Sequence, residues 1–193
     1  LSASALAQSP YEDSYAWYGR NLSPAESRGR DTWYFWTGGG ETMWRQLTKI
    51  TGGAMDLLLY AESQPRNQRF KTLGLTNDPD CTAAAGPDQY GLNLDSCKPL
   101  TIPGIPGEST GIIGLRKFPN PAFDRAKWDV NEYRKHPDAV EPPYLVGMAC
   151  AFCHVAMNPL HPPADPENPR WANLASTAGN QYWKEGKLFS FRM

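Results

Sequence analysis

The chain has 193 residues, with 19 Lys and Arg against 20 Asp and Glu, for a formal charge of -1. That balance, without any basic stripe, excludes nucleic acid and an acidic membrane surface as implied partners. The longest apolar stretches, such as Ala54 to Tyr60, fall far short of the ~20 residues that span a bilayer.

A chain of this length buries a core unaided. With 18 Pro and 17 Gly beside seven Trp and nine Tyr, it is expected to be mainly α, with short helices joined by long ordered loops. In chain order, Leu1-Ser2-Ala3-Ser4-Ala5-Leu6-Ala7 reads as the end of a signal peptide closing on the small-x-small pattern of Ala5 to Ala7. An N-terminal helical region is then expected over residues 8–98. Its first helix opens at Ser23-Pro24-Ala25-Glu26, a capping box with Pro at the first helical position, runs to Thr37 and stops at Gly38-Gly39-Gly40. A second covers Glu41 to Ile50, closed by Gly52-Gly53, and a third Ala54 to Ala61. Trp33, Trp36, Met43, Trp44 and Leu47 recur at helical intervals and should line facing surfaces of the first two helices. Plain core packing is the favoured reading of them, with an aromatic wall against a porphyrin as the rival.

Cys81 and Cys97 flank a polar loop. A disulfide is the economical reading, worth about 3 kcal/mol through restriction of the unfolded chain and expected outside the cytoplasm; two unpaired thiols are the alternative. Residues 99–111, rich in Pro and Gly, read as an extended connector to a region over 112–193. There, Phe123 to Lys135 carries a weak helical pattern ended by His136-Pro137. A further helix is expected from about Tyr144 to His154, and the proline-fixed segment Asn158 to Pro169 reads as a rigid loop. The end at Phe189 to Met193 shows no stop in pattern and reads as the interior of a longer product.

The most specific signal is Cys150-Ala151-Phe152-Cys153-His154. Cysteines at i and i+3 on a helical turn can reach two vinyl groups of one porphyrin, and the adjoining imidazole is delivered to the iron as proximal ligand. The expected cofactor is one haem c, held by Cys150, Cys153 and His154. Three rivals use the same residues. Zinc would need two more ligands, without a second short-spaced Cys pair to supply them; a dithiol redox site would need a strand-turn-helix context; a structural disulfide between residues three apart is strained. The sixth iron ligand separates electron transfer from oxygen chemistry. The candidates are His136, His161, Met43, Met55 and Met193. His161, like Met148 and Met157, lies too close along the chain to pass easily around the porphyrin edge, and Met193 is the one methionine well downstream.

The run from Gly147 through Cys150-Ala151-Phe152-Cys153-His154 to Leu160, continuing through Pro162-Pro163-Ala164-Asp165-Pro166-Glu167-Asn168-Pro169 to Gly179-Asn180-Gln181-Tyr182, resembles the N-terminal haem region of rubber-oxygenase-type dihaem cytochromes. These are distant relatives of the dihaem cytochrome c peroxidases. The resemblance is specific over about residues 144–183 and looser at Arg28-Gly29-Arg30-Asp31-Thr32-Trp33. It implies thioether attachment at Cys150 and Cys153, proximal ligation by His154 and a second haem domain later in the chain.

Two functions follow as expectations. The first is an exported cytochrome, periplasmic or extracellular, passing single electrons to a redox partner protein or a neighbouring cytochrome subunit. The second is the N-terminal part of an oxygen- or peroxide-activating haem enzyme. Electron transfer is favoured, because no acid-base pair can be located beside the motif. A structural role, with aromatic surfaces docking on neighbouring subunits, is a weaker third.

Overall fold

The computed structural model describes residues 22–62, 64–99, 102–176 and 179–189; the signal-like Leu1 to Ala7 and the ligand candidate Met193 lie outside them. The first two helices start where the sequence places them, and the first ends at Phe35, two residues short of the expected Thr37, because Trp36 is extended. α1 spans Pro24–Phe35, and at its start the Ser23 side chain accepts from the Glu26 N–H while Glu26 accepts from the Ser23 N–H. α2 spans Glu41–Ile50. The third starts later than expected, as α3 over Leu57–Glu62. Asp56 sets that start by accepting from the Leu59 N–H at 3.0 Å, so the apolar run before it forms a turn. α4, Arg66–Leu73, has no apolar stripe in sequence; it is held by polar contacts of its buried Arg66 and Arg69 together with Leu73 in the core.

The mainly α expectation needs correction. Helix accounts for 35% and strand for 15%, with the strands in several small antiparallel sheets. β1 (Cys81–Thr82) pairs with β2 (Ser96–Cys97). β3 (Glu108–Ser109), β4 (Leu115–Pro119) and β5 (Tyr144–Met148) form a three-stranded sheet in that order. The helix expected over Tyr144 to His154 is therefore wrong over its first half, which is strand. Residues 144–148 are claimed by a register with β4 running from Leu115 opposite Met148 to Pro119 opposite Tyr144. Long-range pairing overrides local propensity here. The weak pattern over Phe123 to Lys135 splits into a 3-10 turn at Arg125–Lys127 and α5 at Val130–Lys135, because Asp124 and Asp129 each cap a new start.

Two apolar clusters fill the interior. One joins α3, Leu73, Leu75, Leu92, Ile112, Leu115, Tyr133, Val146, Phe152 and Leu188. The other joins Tyr34, Phe35, Ile113, Ala151, Val155, Met157, Trp171 and Leu174. Both include residues of the Cys150 to His154 neighbourhood, so the candidate attachment turn is packed from two sides.

Cys81 and Cys97 are joined by a disulfide and stand directly opposite in the β1–β2 pair. Its loop covers a sequence separation of 16 residues, for which chain-entropy arguments give about 3 kcal/mol. Reduction is accordingly expected to lower unfolding stability by about that amount, read as a drop in the denaturant midpoint with dithiothreitol present. An unchanged midpoint would mean the bond constrains nothing in the unfolded chain.

Among the described residues, no helix is long and apolar enough to cross a membrane.

Candidate functional site

β5 ends at Met148, and the chain turns into α6, Ala151–His154, with Cys150 as the preceding cap residue. The corner is fixed by the Ala149 N–H, which donates to the Gly114 carbonyl at 2.7 Å. Gly114 adopts φ +76°, and a Cβ there would fall 2.2 Å from the Phe152 nitrogen. Only glycine lets the two backbones approach this closely. The turn then closes through His154 N–H to Cys150 O at 3.1 Å and Val155 N–H to Ala151 O at 2.9 Å.

The burial pattern of this turn gives each residue a role. Ala151 and Phe152, between the cysteines, are buried in the two clusters, and the Phe152 ring lies 4.9 Å from that of Trp183. Cys150 and His154 are exposed, and Cys153 is half-buried. The apolar pair therefore anchors the turn while the reactive side chains are left at or near the surface. On the far side, the Asn180 N–H donates to the Cys153 carbonyl at 2.8 Å, and the Asn180 side-chain amide donates to the Gly74 carbonyl. Residues 179–184 thus tie the turn to the end of α4. After α6, β6 (Ala156–Met157) pairs with β7 (Leu174–Ala175). A short α7 follows at Glu185–Phe189.

α1 passes alongside, and the Trp33 ring stands 5.6 Å from the His154 ring at an interplanar angle of 52°. Trp33 is 39% exposed, and Trp36 and Met43 are each 54% exposed. The favoured core-packing reading therefore fails for these three: the faces of α1 and α2 that carry them look outward. Trp44 is half-buried against the first cluster, as core packing would have it. Sequence reasoning raised Trp33 in the aromatic series and in the loosely matching Arg28 to Trp33 segment, and Asn180 only within the resembling Gly179 to Tyr182 stretch, with no positional role for either. It missed Gly114, which had a readable signal in the Gly111-Ile112-Ile113-Gly114 spacing.

The other ligand candidates are on separate elements. His136 is exposed and closes α5, its N–H donating to Glu132 O. His161 is exposed in the loop beyond β6, its carbonyl accepting from the Asn173 amide. Met43 is on the outer face of α2, and Met55 is half-buried in the turn before α3.

Cys150 and Cys153 are free of any disulfide. Burial, and next the neighbouring Cys150, push the Cys153 thiol up from its ordinary range. The dithiol reading gains from the fold, since β5 running into α6 is the strand-turn-helix context that the sequence did not disclose. The zinc reading gains nothing, because among the described residues no group of three or more His, Cys, Asp or Glu side chains could hold a metal ion. Two unlinked thiols and an exposed imidazole on one anchored turn are the donor set of a c-type haem, so the residues present fit that group.

No protein-family model, no curated protein and no solved structure matches the chain.

Proposed function

We propose that this chain is an exported c-type cytochrome that passes single electrons, with one haem joined to Cys150 and Cys153 and ligated by His154. The observation that carries the reading is the anchored turn: two free thiols and an exposed imidazole are displayed together while the residues between them are buried. Bound there, the haem would supply a one-electron iron couple whose potential follows from its axial ligands and burial. The chain's own part is positional. Ala151 and Phe152 fix the turn, Gly114 and Asn180 hold it from either side, and Trp33 limits the sweep of the His154 ring. The Cys81–Cys97 disulfide agrees with an oxidising compartment, periplasmic or extracellular. The partner class is another redox protein or cytochrome subunit. The likeness of residues 144–183 to the N-terminal haem region of rubber-oxygenase-type dihaem cytochromes supports the same cofactor.

The test is spectroscopic. A six-coordinate, low-spin iron that does not take up carbon monoxide at once is expected for an electron carrier. A high-spin iron binding carbon monoxide immediately would replace this reading with the oxygen- or peroxide-activating one.

The strand-turn-helix context favours one second reading, a dithiol-disulfide couple at Cys150 and Cys153. Matured protein that carries no porphyrin and exchanges two electrons with glutathione would select it.

A further inference from the structure

Residues 179–189 lie across both the candidate turn and the end of α4. Toward the turn, the Asn180 N–H donates to the Cys153 carbonyl at 2.8 Å, and the Trp183 ring stands 4.9 Å from that of Phe152. Toward α4, the Lys184 N–H donates to the Leu73 carbonyl at 3.1 Å, and the Tyr182 ring lies 5.1 Å from that of Phe70. The fit is close at Gly74, where φ is +75° and a Cβ would collide with the Tyr182 carbonyl. The segment is therefore seated on its two neighbours.

Its anchorage is thin. Within residues 179–188 Leu188 alone is buried, and Trp183, like Cys153, is a partly buried neighbour of the first cluster. α7 has five residues, too few to persist as a helix without its packing. The Trp183 indole Nε1 is buried and has no hydrogen-bond partner among the described residues, so undocking returns a donor to water. A segment with one buried apolar side chain and a donor that gains on release belongs to the low end of local opening free energies. Beside it the two thiols of the turn are unequally placed. Cys150 is exposed, whereas Cys153 is half-buried and is the residue whose carbonyl the segment holds.

We infer that residues 179–189 form a strap whose release governs access to the Cys153 thiol, while Cys150 stays open with the strap docked. The inference goes beyond the haem reading and serves the dithiol reading equally: whatever is joined to the turn meets Cys150 first, and Cys153 once the strap has lifted.

The full chain, before any haem attachment and with the Cys81–Cys97 disulfide intact, is alkylated with iodoacetamide, and tandem mass spectrometry apportions the label between Cys150 and Cys153. Cys150 is expected to react about tenfold faster or more, the factor that a modest local opening free energy gives. Trp183→Ala should speed Cys153 by about tenfold, the weight of one lost aromatic pair, and leave Cys150 unchanged. Trp183→Phe keeps a ring against Phe152 and removes the unpartnered N–H, so Cys153 should stay protected. In the unaltered chain, Cys153 labelling should climb with urea far less steeply than global unfolding does, because lifting the strap exposes little surface. Equal labelling of the two cysteines, a Cys153 rate indifferent to Trp183→Ala, protection lost in Trp183→Phe, or the full urea slope of unfolding would each overturn the inference. The urea series needs no variant, so it decides even where Trp183→Ala fails to fold. Failure of the haem reading is seen separately, as matured protein without attached porphyrin.

Discussion

Alanine at both Cys150 and Cys153 is expected to abolish covalent haem attachment while leaving the fold in place. Neither thiol is engaged in a disulfide, and Cys150 is exposed. The packing that holds the turn comes from Ala151 and Phe152, which these changes do not touch. The stability cost should be no more than about 1 kcal/mol, mostly from the half-buried Cys153. A single change at either cysteine should leave one thioether and a spectrum shifted by the retained vinyl group. The assay is colour remaining with the protein after denaturation and acid-acetone extraction. Full colour surviving extraction in the double variant would show that attachment lies elsewhere.

The largest effect on stability is expected at Asp95. Its carboxylate is buried and accepts from Arg66 at 3.0 Å and from Arg69 at 3.1 Å. Both arginines belong to α4 and are themselves buried. Arg69 reaches further, to the carbonyls of Ala61 and Gly111 and to the Asn77 side chain. Asp95 is thus the negative centre that lets an apolar-poor helix pack inside. Asp95→Ala would leave two guanidinium groups buried without their counter-charge, a loss of about 3–5 kcal/mol. For a chain of this size that is a fall in Tm on the order of 10 °C, measurable by circular dichroism. A loss below about 1 kcal/mol would mean that water or rearrangement compensates the arginines, and that this network is not what holds α4. Asp95 lies two residues before Cys97, inside the loop that the disulfide closes.

How much of this was legible in the sequence depended on how local each determinant is. The start of α1 was readable because Ser23, Pro24 and Glu26 specify it within four residues. α2 was readable between its glycines. The candidate turn was readable as spacing, Cys150 to His154, because its residues are contiguous.

What could not be read was set by distant partners. β5 has the composition of either a helix or a strand, and only its register with β4, some thirty residues earlier, decides. α4 carries no apolar stripe, because two of the three residues it buries, Arg66 and Arg69, are arginines satisfied by Asp95 and Asn77, and Leu73 is the third. Trp33 and Trp36 have the spacing of a core stripe, yet the interior of α1 is filled by Tyr34 and Phe35 instead. Spacing gives a face, and only tertiary packing says which face turns inward. For the candidate site the same division holds. The donors are visible in sequence, whereas the parts that hold them, Gly114, Asn180 and the Trp33 ring, come from three other segments.

Matured protein from an exporting host, weighed intact under denaturing conditions and scanned through the Soret region, tests the central claim most directly. The expected result is a chain heavier by a single haem, coloured, and still carrying that haem after its disulfide is reduced. A colourless chain at the mass of the bare polypeptide would contradict it.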